Sequence, residues 1–297
     1  MSRALPAHAG RFVLAEGPVC NAATGQLTWV DIEAGLVLNA TVSESTDALS
    51  LREERRIATG EQIGCALPFG DGHVLLALRR CLAVVRSTGM IERGSNLLDE
   101  SKRFNDGKID PQGRLLVGSL TLEGENLGDN VLLRLEHDGS VTTIDDDLGL
   151  SNGLAWSPDG ATFYSIDTER GLVYRRSYGA DIVGEREILL QFDDEAPDGM
   201  SVDAEGNLWI AFWGGGGVRV FTAAGEERVD LALSIEAPHS TSIAFFGSNL
   251  DHAVVTSASR DLDTQEQQRW PDAGDLFIAR VPVRGIPVTP WRETSLP

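Results

Sequence analysis

The chain has 297 residues, of which 42% are hydrophobic and 24% charged, a composition typical of globular proteins that excludes an intrinsically disordered chain. Its 45 acidic and 25 basic residues give a formal net charge of −20, which repels phosphate backbones and anionic lipid, so we expect neither a nucleic-acid nor a membrane partner. The 32 glycines against 12 prolines favour many tight turns and therefore a β-rich fold.

The start of the chain lacks the features of a targeting segment. Residues 1–20 contain no apolar core of signal-peptide length, and no later stretch approaches the roughly eighteen apolar residues of a transmembrane helix. We therefore expect a cytoplasmic protein. The cysteines Cys20, Cys65 and Cys81 match no zinc-binding spacing, so we expect them to be buried, reduced thiols.

A repeat unit begins at residue 16 and recurs along the chain. Each copy has a polar head with glycine, an apolar pair, a turn and a second apolar strand. Six heads lie near residues 16, 64, 106, 152, 198 and 241, about 45 residues apart, which is the period of a four-stranded propeller blade. The sequence thus predicts an all-β fold, a six-bladed β-propeller that occupies residues 1–297 as a single domain.

Two further segments carry expectations of their own. Residues 44–57 could form a helix, although their apolar residues are sparse. The stretch near Arg11 to Ala15 is expected to pair with strands around Leu276 to Val281 and close the ring, because closure removes exposed sheet edges.

The heads carry oxygen-bearing side chains that the propeller would bring together at its central channel: Glu16, Asp106, Asn152 and Asp198. Such groups repel each other unless a cation neutralises them, and all-oxygen ligand sets suit Ca²⁺, Mg²⁺ or Mn²⁺. The alternative is that they cap turns or bond to neighbouring backbone, as Asp and Asn often do. The repeat alone leaves both interpretations open.

Four ordered segments of the chain are distinctive: Glu16-Gly17-Pro18, Arg103 to Lys108 with Asp110 to Arg114, Ser151 to Leu154, and Pro197 to Met200 with Gly206 to Trp209. Together they resemble the signature motifs of the senescence marker protein (regucalcin)/gluconolactonase/luciferin-regenerating enzyme-like family. The likeness extends over roughly residues 10–280. It implies a six-bladed propeller that hydrolyses sugar lactones with one divalent cation.

The resemblance also implies roles for individual residues. The cation would be held by three ligands: Glu16, Asn152 and Asp198. The substrate would be bound by a second set: Arg103, Asn105 and Glu123. Ca²⁺ is the first choice of ion, and Mg²⁺, Mn²⁺, Zn²⁺ or Fe²⁺ also suit three ligands completed by water. The segment from Pro238 to Ser242 matches the family's Arg-Pro-Thr-Ser motif only in part, which leaves the exact sugar open.

Asp198 is the expected catalytic residue. Lactone hydrolysis needs a polarised carbonyl, a deprotonated water and a stabilised oxyanion, and a divalent cation supplies the first and third of these. An Asp198 carboxylate that binds the cation through one oxygen can accept the water proton on the other. Arg103 and Asn105 would orient the sugar and donate hydrogen bonds to the developing charge.

Two further motifs and one histidine suggest other kinds of site. Gly149 to Gly153 matches the G-x-S-x-G nucleophile elbow, but a strand pattern rather than a helix follows Ser151, which argues against a serine nucleophile. The run from Gly214 to Gly217 lacks the Lys-Ser/Thr of a phosphate-binding loop and favours a hairpin turn. His239 near the last head either lines the pocket or lies on the surface.

Three classes of function remain open. The first is an aldonolactonase acting on glucono-, xylono- or arabinonolactone, and the second is a related propeller hydrolase of other lactones or phosphotriesters. The third is a non-catalytic calcium-binding regulatory protein, since ligands alone do not establish turnover. A small sugar lactone is the expected partner, bound by a monomer or a weak homo-oligomer.

Overall fold

Strands make up nearly all of the regular structure in the computed structural model, which describes residues 2–8, 10–21, 24–44, 49–70, 72–123, 126 and 128–297. The strands before residue 136 are β1 Ser2–Arg3, β2 Leu5–His8, β3 Ala15–Asn21, β4 Gln26–Asp31, β5 Leu36–Glu44, β6 Leu49–Ala58, β7 Ile63–Phe69, β8 His73–Leu78, β9 Cys81–Val85, β10 Ile91–Asn96, β11 Lys102–Ile109, β12 Leu115–Thr121 and β13 Asn130–Leu135. The remaining strands are β14 Val141–Leu148, β15 Ser151–Trp156, β16 Thr162–Asp167, β17 Leu172–Ser177, β18 Glu187–Gln191, β19 Ala196–Val202, β20 Leu208–Trp213, β21 Gly217–Phe221, β22 Leu233–Ser234, β23 His239–Phe246, β24 His252–Ala258 and β25 Leu276–Arg280. A short helix, α1 Thr264–Arg269, precedes β25 and is capped by the Asp263 side chain.

Six sheets of mainly antiparallel strands form the fold. Five of them contain four strands consecutive in the chain: β3–β6, β7–β10, β11–β14, β15–β18 and β19–β22. The sixth combines β23, β24 and β25 with β2 from the other end of the chain. The first strands of successive sheets contact one another in turn, and β23 contacts β3, so they form a closed ring around a central axis. The predicted six-bladed β-propeller is confirmed.

The ring closes through a segment nearer the start of the chain than the sequence predicted. Strand β2 pairs with β25, where Leu5 lies opposite Ile278 and Pro6 opposite Phe277. The predicted stretch from Arg11 to Ala15 is wrong, because the backbone turns at Arg11, whose φ is 45°, and Ala15 already begins the first blade. The predicted C-terminal partner is confirmed.

The helix considered for residues 44–57 is also wrong. Glu44 ends β5, and residues 49–57 belong to β6, while residues 45–48 lie outside the described part of the chain. From Leu51 to Ala58 exposed side chains alternate with buried or partly buried ones, which is the two-residue period of a strand. The outer strand β6 is rich in charged residues, and its composition therefore resembles that of a helix.

Each blade has the same irregularity where its first strand pairs with its second. The register shifts within the head of every first strand: Glu16 to Val19, Ile63 to Cys65, Phe104 to Gly107, Asn152 to Leu154, Pro197 to Met200, and Ser240 to Ser242. Such bulges turn a side chain out of the alternation of the strand. The fold thus presents six irregular heads at equivalent places.

Apolar side chains between the blades hold the ring together. Trp209 in the fifth blade and Phe245 in the sixth pack edge to face, with ring centroids 5.3 Å apart. All three cysteines are free and buried, as the sequence predicted. In the part of the chain that the structure describes, no helix is both long and apolar enough to cross a membrane.

Candidate functional site

The heads of all six blades meet around the axis. Thr241 Oγ1 of the last blade donates a hydrogen bond to the Ala15 carbonyl of the first at 2.6 Å, and Asn105 Nδ2 donates to the Ser151 carbonyl at 3.0 Å. Three further pairs of neighbours approach closely at glycines: Gly64 at Asn105, Gly153 at Asp198 and Gly199 at Ser242. The first strands of the first and second blades, β3 and β7, also contact each other. Residues far apart in sequence thus line one narrow site.

Four polar head residues are buried in this ring. Glu16, Asp106, Asn152 and Asp198 are 7%, 9%, 5% and 6% exposed. Glu16 Oε2 accepts a hydrogen bond from the Gly17 amide at 2.7 Å, and Asp106 Oδ1 accepts one from the Gly107 amide at 2.8 Å. Both carboxylates therefore bond to the adjacent backbone, yet each has a second oxygen that these bonds do not use.

The amide of Asn152 has a defined orientation. Its Nδ2 donates to Thr168 Oγ1 at 3.2 Å and to Asp198 Oδ1, so both amide protons are used. Its Oδ1 is buried and has no hydrogen-bond partner among the described residues. Because a buried acceptor without a partner is costly, this oxygen is suited to contact an electropositive group.

Thr168 extends this arrangement and was not identified from the sequence. Its hydroxyl accepts from Asn152 and donates to the Pro197 carbonyl at 2.7 Å, next to Asp198. It lies directly after β16, outside any head or recognisable motif, so no sequence signal marks it.

Glu16 and Asp198, the two acidic candidates, lie in an environment that disfavours their charged forms. Burial raises the pKa of Glu16 well above its ordinary value, and the charges of Asp198 and Asp106 raise it further. Burial likewise raises the pKa of Asp198, with Asp106 adding to the effect. Two neighbouring carboxylates in a buried site are mutually repulsive unless a proton or a cation lies between them.

These observations fit a hard divalent cation. Glu16, Asp198 and the unpartnered Asn152 oxygen provide the oxygen ligands that Ca²⁺, Mg²⁺ and Mn²⁺ prefer. Among the described residues, no three His, Cys, Asp or Glu side chains cluster closely enough to hold a metal by themselves. The amide oxygen is therefore essential to this candidate site, and water would complete the coordination.

Arg103 and Asn105 lie beside each other in β11. Arg103 Nη1 donates to Asn105 Oδ1 and to the Phe104 carbonyl, both at 2.9 Å, while its buried Nε has no hydrogen-bond partner in the part of the chain that the structure describes. Burial lowers the pKa of Arg103 to about 10, so its guanidinium remains charged at neutral pH. Its charge lowers the pKa of both Glu16 and Asp198, which places it within electrostatic reach of the acidic pair.

Among the described residues, no side-chain contact joins Glu123 to Arg103, Asn105 or the acidic pair. Its side chain is exposed, and its backbone amide donates to the Ser101 carbonyl at 3.4 Å. Residues 124, 125 and 127, in the same connection, lie outside the described part of the chain. A substrate contact by Glu123 stays a prediction.

The competing features have structural explanations. Ser151 is 2% exposed, begins strand β15 rather than a helix, and packs so tightly that a side chain at Gly118 would collide with its hydroxyl. The nucleophile-elbow interpretation is therefore excluded. Residues 214–216 form the turn between β20 and β21, as predicted. His239 is half-buried and stacks on Trp213, with ring centroids 4.0 Å apart.

Comparison with known proteins agrees with the fold. Residues 14–259 match the model of the SMP-30/gluconolactonase/LRE-like region. The pentonolactonase XacC of Haloferax volcanii is 34% identical over 92% of this chain and 93% of its own. The 6-deoxy-6-sulfogluconolactonase of Pseudomonas putida is 32% identical over 92% of this chain and 93% of its own.

A solved structure shows the same architecture. The calcium-binding protein regucalcin of Agrobacterium tumefaciens superimposes with a TM-score of 0.86 and 24% sequence identity, covering 99% of this chain and 100% of the other. The family match spans most of the chain, with the four consecutive strands of each of the first five blades and two of the four strands of the sixth, β23 and β24. The chain belongs to the SMP-30/gluconolactonase/LRE-like family.

Proposed function

We propose that this protein hydrolyses a sugar lactone to the corresponding aldonic acid, with one divalent cation held by Glu16, Asn152 and Asp198. The observation that carries the proposal is the buried, unpartnered Asn152 Oδ1 beside two buried carboxyl groups whose pKa values are raised. The names of two relatives, a pentonolactonase and a sulfogluconolactonase, support this reaction class.

The cation would serve as a Lewis acid in this scheme. When bound, a divalent cation acts as a Lewis acid that polarises a carbonyl and stabilises the oxyanion. Ca²⁺ is the first candidate because every proposed protein ligand is an oxygen atom, and Mg²⁺ and Mn²⁺ share this preference.

Asp198 acts as the general base. Its carboxylate accepts a proton from water as the water oxygen bonds to the lactone carbonyl carbon. The bond between that carbon and the ring oxygen then breaks, and the ring oxygen leaves as a hydroxyl group of the product, taking up the proton. The Asn152 amide holds Asp198 Oδ1 by a hydrogen bond and so fixes the direction of the carboxylate.

Arg103 and Asn105 bind and orient the substrate. Arg103 has an Nε donor without a protein partner, and its hydrogen bond to Asn105 holds the two side chains together. Donors of this kind suit the carbonyl and hydroxyl oxygens of a sugar, and they favour a hydroxyl-rich lactone over an apolar ester. Gluconolactone, xylonolactone and arabinonolactone are the substrates to test first.

The proposal is tested by measuring proton release from a panel of aldonolactones, before and after chelation and after restoring single divalent ions. We expect turnover that chelation abolishes and that one of the ions restores. Activity unaffected by chelation rejects the role of the cation. Cation binding without turnover of any lactone would instead favour a regulatory protein.

A further inference from the structure

Lys108 connects two blades that are not neighbours. It lies two residues after Asp106 on β11, in the third blade, and its Nζ donates to the Met200 carbonyl on β19, in the fifth blade, at 2.8 Å. Met200 follows Asp198 by two residues. The bond therefore passes the fourth blade and joins the first strands of the third and fifth blades, two residues after the heads' Asp106 and Asp198.

Asp106 is the neighbour whose charge this lysine affects. The Asp106 carboxyl is buried, and its charge raises the pKa of both Glu16 and Asp198. Burial raises the pKa of Asp106 itself, and the charge of Lys108 opposes that rise. Burial lowers the pKa of Lys108, and the charge of Asp106 opposes it in return. The buried Asp106 and the half-buried Lys108 thus stabilise each other's charged forms.

Without Lys108 the repulsion that the Asp106 charge exerts on the Glu16 and Asp198 carboxylates would be uncompensated. Charges in a buried environment act over several ångströms with little screening, so a third uncompensated carboxylate changes how strongly a divalent ion is held. The Met200 carbonyl is a neutral acceptor and leaves the lysine's charge available to Asp106.

We propose that Lys108 is a positioning residue that acts through Asp106: held by the Met200 carbonyl, it balances the Asp106 charge and so limits the affinity of the site for its cation. The inference rests on the proposed cation site. It assigns Asp106 and Lys108 to the control of that site rather than to coordination or to proton transfer.

If Lys108 acts through its charge, the variant Lys108→Met should change cation affinity in the opposite direction from that expected if Lys108 is only a structural tie. Loss of the charge leaves Asp106 uncompensated and should tighten cation binding about tenfold, whereas loss of a structural tie should loosen binding. Asp106→Asn should weaken binding about tenfold. The double variant Asp106→Asn/Lys108→Met should return close to wild type, and Lys108→Arg, which keeps the charge, should bind like wild type.

The experiment is calorimetric titration of the chelator-stripped full chain with CaCl₂ and with MnCl₂ at about pH 8, above the ordinary range of carboxyl pKa values. Weaker or unchanged binding by Lys108→Met overturns the inference, as does a double variant whose affinity does not return close to that of wild type. If Lys108→Met does not fold, unchanged binding by Asp106→Asn overturns it. A wild-type chain that binds no divalent ion overturns the proposed function itself, and the inference with it.

Discussion

Thr168 determines which end of the Asn152 amide faces the candidate cation site. Its hydroxyl oxygen accepts a hydrogen bond from Asn152 Nδ2 at 3.2 Å, and its hydroxyl proton is donated to the Pro197 carbonyl at 2.7 Å. Because that proton is already used, Thr168 can only accept from the amide. The Asn152 oxygen is thereby directed away from Thr168, and none of the described residues donates a hydrogen bond to it.

Replacing Thr168 by valine should therefore weaken cation binding. The substitution keeps the shape of the side chain but removes the acceptor, and outer-shell partners of metal ligands typically contribute about 10–100-fold in affinity. We expect a loss in that range, measured by calorimetric titration with Ca²⁺ and Mn²⁺.

Thr59→Val is the matched control. Thr59 is also buried, and its hydroxyl bonds to the Gly35 and Glu61 carbonyls at 3.0 and 2.7 Å, in the first blade and the connection that follows it. It should lower stability by about 1 kcal/mol without changing cation affinity. Equal affinity losses in the two variants would contradict the orienting role of Thr168.

Asp198→Asn should remove most of the lactonase activity. The amide cannot accept the water proton at neutral pH, and general-base catalysis contributes about 10²–10⁴-fold. We therefore expect kcat to fall by about a hundredfold or more in a proton-release assay at saturating cation. Full activity with the cation bound would show that another group is the base.

Asp203→Asn provides the comparison at the end of the same blade's first strand. Asp203 accepts hydrogen bonds from the amides of Glu205 and Asn207 and from the side chains of Asn207 and Trp209. It is therefore a buried turn residue, and its replacement should reduce stability by about 1–3 kcal/mol while leaving kcat close to wild type.

This contrast shows what the sequence could predict about the site. Asp198 and Asp203 both follow the repeat, but only Asp198 lies in a glycine-containing head, where the register of the strand shifts. The head positions were therefore sufficient to identify Glu16, Asp106, Asn152 and Asp198 as candidates, and only the family resemblance separated Asp106 from the other three. Thr168 could not be selected, because it reaches Asn152 only through the pairing of β15 with β16, which places Ile166 opposite Asn152.

The errors in the predicted fold have local physical causes. Strand β2 is too short for a two-residue period to be visible, and it contains Pro6, which is tolerated there because the strand lies at the edge of its sheet. The outer strand β6 is rich in Glu and Arg, which also favour helices, and only its pairing with β5 settles its conformation.

Gly199→Ala should destabilise the ring beside the site. A Cβ at Gly199 would lie 2.1 Å from Ser242 Oγ and 2.7 Å from Ser242 Cα, so β19 and β23 would have to separate. Overpacking of this kind costs about 1–3 kcal/mol, and we expect the free energy of unfolding in denaturant to fall by that amount, together with reduced activity.

Gly179→Ala is the control, because none of the described residues lies within 4 Å of a Cβ there, and it should change stability by less than about 0.5 kcal/mol. Equal stability of the two variants would contradict the tight approach of the fifth and sixth blades.

Removing residues 2–8 should open the ring. Strand β2 covers the edge of β25, so its loss exposes a row of unpaired backbone groups that can pair with another chain. We expect a lower melting temperature and concentration-dependent association in light scattering. Removing residues 2–3 alone is the control, because β1 only extends the fifth sheet by pairing with β22, and this variant should remain close to wild type. Only the deletion of residues 2–8 leaves the sixth blade with three strands. If both deletions lower the melting temperature equally, pairing of β2 with β25 is therefore not what stabilises the ring.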